Sequence, residues 1–78
     1  MAQAKLEMAK EHFAKAENQK AKEILLPIVE EDNSNAEAFF ILANIFHIEG
    51  KLGKAIKAFR KVLELEPNNT DAAISLSV

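Results

Sequence analysis

Residues 35–69 read "NAEAFFILANIFHIEGKLGKAIKAFRKVLELEPNN", and two helices joined by a turn can be drawn from this stretch alone. Ser34 and Glu37 have capping-box spacing just ahead of the first helix, with Asn35 a competing N-cap one residue on. Gly50 stands where that helix, 36 to 49, should end in a left-handed residue. From about Gly53 to Glu66, the residues Ala55, Ile56, Phe59, Val62 and Leu63 recur at helical spacing, while Lys54, Lys57 and Lys61 hold the opposite side. Pro67 and two asparagines stop the second helix, and Thr70 with Asp71 opens another. Within the first helix, "FFILANIFHI" (39–48) directs apolar side chains all round at about 100° per residue, so it needs neighbours on nearly every side.

Outward from this stretch the chain repeats itself. A shift of 34 residues aligns Met8 with Leu42 and Leu76, Ala9 with Ala43 and Ser77, Ala21 with Ala55, Leu25 with Phe59, and Ile28 with Val62. Small residues stay small and large ones stay large, which marks a series of like supersecondary units.

Phe39, Leu42, Ala43, Phe46, Gly50, Leu52, Ala55, Phe59, Val62, Leu65 and Pro67 together resemble a tetratricopeptide repeat. The resemblance assigns a repeat to 36–69, a divergent repeat to 2–35 and a partial repeat or capping helix to 70–78, all within a single domain, 1–78. The divergent unit has Lys5 where Phe39 sits and His12 where Phe46 sits. What the resemblance implies is an all-α, right-handed α-α superhelix of about five helices, in which Ala43 and Ala55 let paired helices approach closely. Pro27 falls inside the second helix of the divergent unit, where it removes a hydrogen bond to the Glu23 carbonyl, and it predicts a bend or an early end there.

In such a solenoid the first helix of each repeat lines the concave face. That face would carry an apolar row of Leu6, Phe40 and Ile74, a polar row of Gln3, Glu37 and Asp71, and Phe13 opposite His47. Lys10, Asn44 and His47 would give polar recognition, with Ile41 and Ile48 flanking the row. Large apolar side chains in line form the kind of patch that marks an interaction site. The reading is therefore a scaffold that binds a peptide or helical segment of a protein partner in this groove. Two alternatives stay open: another copy covers the patch in a homo-oligomer, helix-swapped in one form, or these residues are core. Self-association has its own argument, because solenoids need about three repeats to bury their faces.

Composition agrees with an all-helical globular chain. Its 78 residues are 49% apolar and 28% charged, rich in Ala, Lys, Glu and Leu, with two glycines and two prolines. A formal charge of −2 gives no electrostatic reason to expect nucleic acid or an anionic membrane. Lys54, Lys57 and Lys61 share a face near Arg60, but no aromatic alternates with them and Glu64 and Glu66 dilute them, so they read as a solvated face. No stretch reads as a signal peptide or approaches the roughly 20 apolar residues of a membrane span, which favours a cytoplasmic location and no membrane partner.

Chemistry is not signalled. There is no cysteine, no serine in a strained glycine turn and no Gly-rich phosphate loop, so the chain reads as non-enzymatic and without cofactors. His12 and His47 lie 35 residues apart without carboxylates at ligand spacing, so no metal is expected; His12 reads as filling a half-buried aromatic slot. One branch of the family grips a terminal carboxylate with basic and amide residues. The equivalent places here are Leu6, Lys10, Ile41, Asp71 and Ser75, of which only Lys10 is basic, so such a clamp is not expected.

Overall fold

A computed structural model describes residues 2–68, with side chains from residue 4 onward. Four helices follow one another: α1 (Ala2–Ala14), α2 (Asn18–Glu31), α3 (Ala36–Ile48) and α4 (Leu52–Leu65). No strand occurs among the described residues, and the fold is all-α, of helical hairpins. α1 packs on α2 and α3 on α4, while α2 lies against α3 and α1 touches α3, which joins the two hairpins. The further helix expected over 70–78 lies outside the described residues.

The turns inside the two hairpins are the same object. At the first, the Ala16 amide donates to the Phe13 carbonyl at 3.0 Å and the Glu17 amide to His12 at 2.8 Å; at the second, Gly50 donates to His47 at 3.1 Å and Lys51 to Phe46 at 2.8 Å. Each pair is a Schellman closure, in which a left-handed residue lets two amides turn back onto the last helical carbonyls. The left-handed residues are Ala16 (φ 63°) and Gly50 (φ 78°). The C-terminal ends of α2 and α4 match as well, with Asp32 donating to Ile28 at 2.8 Å and Glu66 to Val62 at 2.7 Å. All these partners are separated by the 34 residues of the sequence period.

Burial follows the same register. Ala9 and Ala43, Ala21 and Ala55, Leu25 and Phe59, and Ile28 and Val62 are all buried. One cluster joins Leu6, Ala9, Ala21, Leu25 and Ile28 to Ala38, Ile41, Leu42 and Ile45; a second joins Ala43 to Ala55, Ala58, Phe59 and Val62. α3 therefore contributes to both, which is why its sequence is apolar all round. Full burial of a side chain such as Leu25 or Ile45 stabilises by about 1.5–3 kcal/mol.

Where the register breaks, the cause is position. Leu42 is 2% exposed but Met8 is 52% exposed, because Leu42 joins the cluster that α3 shares with α2, whereas α1 has no helix on that side among the described residues. Lys22 and Ile56 reverse the contrast. Lys22 is buried at 9% beneath the end of α3, where its ammonium donates to both oxygens of Glu49 at 2.9 Å and lies 5.9 Å from the centre of the Phe46 ring, while Ile56 is 43% exposed.

Two local expectations resolve. Of the competing caps, Asn35 wins: its Oδ1 accepts from the Ala38 amide at 3.1 Å, while the Ser34 hydroxyl donates to Asp32 at 2.6 Å. The early end proposed at Pro27 does not occur, and α2 runs through it to Glu31. Pro27 and Glu23 are both exposed, so the Glu23 carbonyl that loses its helical donor lies on the watered side of α2.

Candidate functional site

α1 and α3 run side by side, and the end of α4 returns to the start of α3 because the two helices of that hairpin are nearly equal in length. Between them is a pocket of about 400 Å³. Phe13 from α1 and Phe40 and Ile41 from α3 supply its apolar surface; Lys10, Glu37 and Glu66 supply its charges. Phe40 is half-buried and stands edge-on against Phe59, with ring centres 5.9 Å apart and planes at 80°, a favourable aromatic geometry that fixes the ring.

The Lys10 ammonium pairs with the Glu37 carboxylate across the two helices and with Glu7 at 3.5 Å along its own. The hydrogen bond to Glu37 raises the Lys10 pKa above its ordinary value. A polar trough continues from the pocket through Ala36, Glu37 and Glu66 to Asp32, Ser34 and Asn35. Asp32 accepts from the Ser34 hydroxyl and amide, which holds its carboxyl below the ordinary aspartate value. The site thus offers an apolar seat with a carboxylate-rich exit.

Of the groove residues expected from the sequence, Lys10, Phe13, Glu37, Phe40 and Ile41 come together here. Leu6 does not face the groove. It is 2% exposed in the core because α3 lies over the face of α1 that carries it, and the row of three apolar side chains is closed at that member. Ile41 is also a core residue, 8% exposed, and presents only an edge to the pocket. Asn44 is half-buried and does not line the pocket; its Nδ2 donates back along α3 to the Phe40 carbonyl at 3.0 Å. His47 and Ile48 are exposed but do not line the pocket. Asp71 and Ile74, like Gln3 in its side chain, lie outside what is described.

The sequence reading missed Ala36 and Glu66 as lining residues. Their meeting follows from antiparallel pairing of α3 and α4, so the positions of Asn35 and Pro67, which delimit the hairpin, carried the signal. His12 occupies a half-buried place and its Nδ1 lies 2.9 Å from the Glu17 carboxylate, across the first turn and away from the pocket lining. That hydrogen bond holds the Glu17 carboxyl below its ordinary value. Among the described residues no group of three His, Asp or Glu side chains is placed to hold a metal, and no helix is long and apolar enough to cross a membrane.

Against models of known families, residues 36–69 match the tetratricopeptide repeat. A comparison with curated proteins gives no match to the chain.

Proposed function

We propose that this chain, whose residues 36–69 match the tetratricopeptide repeat, holds a segment of a protein partner in the pocket between α1 and α3. Tetratricopeptide repeats are in general non-catalytic modules of protein–protein interaction. The observation that carries the finer reading is the half-buried Phe40, fixed by Phe59 and facing Phe13 across a pocket that an apolar side chain would fill. The Lys10–Glu37 pair and the trough toward Asp32 and Glu66 would orient the flanking backbone and favour donors on the ligand. In this reading 1–78 is one domain of units 2–35, 36–69 and 70–78, working without a cofactor, metal or nucleic acid and without catalysis of its own.

A second reading, association of copies, rests on the exposed apolar end of the second hairpin. Ile48 is 62% exposed, Leu52 56% and Ile56 43%, and Leu52 and Ile56 share one face of α4. A second copy seated there would supply the cover that stacked hairpins give one another.

Selection of a random peptide library on the immobilised chain, with Phe40→Glu as the counter-selecting variant, separates the two. Peptides retained by the wild type and lost by the variant, at unchanged mass in light scattering, support the groove. A lower oligomer mass in Leu52→Glu with Ile56→Glu, at unchanged peptide capture, supports assembly through the end of the second hairpin instead.

A further inference from the structure

The far side of α3 carries a second depression, of about 370 Å³, between α2 and α4. Its floor is Phe39, Leu42 and Phe46 of α3 with Ala58 of α4, and Leu26, 41% exposed, stands on the α2 side. It shares no residue with the pocket at Phe40. No carboxylate, amide or hydroxyl side chain lines it; its polar groups are the ammonium ends of Lys54, Lys57 and Lys61.

These lysines are more than a solvated face. Their stems form one wall of an apolar depression and their charges follow its edge, as long cationic side chains do over apolar surface. Lys54 sits 5.7 Å from the centre of the Phe46 ring, and neither Lys54 nor Lys57 has an ion pair among the described residues. Lys61 reaches Glu64 at 3.8 Å, a loose contact with a 70%-exposed carboxylate. At positions i, i+3 and i+7 of one helix the three charges extend over about 10 Å.

We infer that this face binds an acidic amphipathic helix from a partner, with apolar side chains on Phe39, Leu42 and Phe46 and a row of carboxylates along Lys54, Lys57 and Lys61. A row of cations of that length matches carboxylates repeated every turn of a helix, whereas a fatty acid brings a single head group to one end. Phosphates could meet the lysines but would leave the apolar floor of Phe39, Leu42 and Phe46 uncovered. Glu23 and Glu30, three and four residues either side of Leu26 on α2, are exposed and outside the lining, so the acidic edge of the ligand turns to α4.

The test uses the full chain, isotope-labelled, titrated with a synthetic helix of about four turns bearing leucines on one stripe and glutamates along one edge. Signals of Leu26, Phe39, Phe46 and Ala58 should shift, those of Phe13 and Phe40 should not, and added salt should weaken binding. Lys57→Glu with Lys61→Glu, both on the helix surface, should weaken it about tenfold or more, and Leu26→Glu should weaken it independently. Equal binding of a lysine-for-glutamate peptide, shifts confined to Phe13 and Phe40, or no response at millimolar peptide would overturn the proposal. So would shifts produced by oleate but not by the peptide, or a doubling of mass that explains the shifts.

Discussion

Ala16 occupies the left-handed position that Gly50 fills 34 residues later, with the same two hydrogen bonds closing over it. A Cβ there costs about 1–2 kcal/mol, partly offset by the greater freedom glycine has in the unfolded chain. Ala16→Gly should therefore stabilise the protein by about 0.5–1 kcal/mol. Gly50→Ala should cost about 1 kcal/mol, and by backbone strain alone, since an added Cβ meets nothing within 4 Å. Urea denaturation midpoints moving in opposite directions check the pair. Gly50 was legible because glycine announces such a turn; Ala16 was not, because alanine signals helix. Leu6 and Phe40 show the same limit from another side. The repeat set them at equivalent places, yet one is sealed and the other half-open, since α3 covers α1 at that level. Leu6→Ala should cost about 2–5 kcal/mol, and Phe40→Ala about 1–2 kcal/mol, with circular dichroism still helical for the latter.

Among elements, the helices were readable from periodicity, and α3 and α4 begin and end within a residue of where Asn35, Gly50 and Pro67 put them. Pairing between elements was less so. Lys22 and Glu49 meet across 27 residues because α2 packs on α3, and no local pattern marks a lysine as buried. The Lys22 ammonium holds the Glu49 carboxyl below the ordinary value of 4.5. A carboxyl depressed in the folded state stabilises above its unfolded pKa and loses that contribution as pH falls through the folded value. The loss should thus occur below about pH 4.5. Lys22→Met should cost about 1 kcal/mol at neutral pH and remove that part of the acid sensitivity. Thermal melts of both proteins across the acid range measure it, and parallel curves would show that Glu49 contributes nothing.

For the whole molecule, the period of the sequence became a period of structure in turns, caps and core, since each depends on contacts within one hairpin or with its neighbour. The site was half legible for the same reason. Lys10, Phe13, Glu37 and Phe40 lie on helix faces that periodicity can assign, whereas the burial of Leu6 depends on how far one hairpin overlaps the next. The lysine-edged depression belongs to this scale too, because its walls come from helices of different hairpins. The proposed docking in the groove is tested most directly by mapping amide shifts of the labelled chain as a library-selected peptide is added. Shifts centred on Lys10, Phe13, Glu37 and Phe40, lost in Phe40→Glu while the mass stays constant, are the predicted result. Shifts elsewhere on the surface, or binding unchanged by Phe40→Glu, would contradict it.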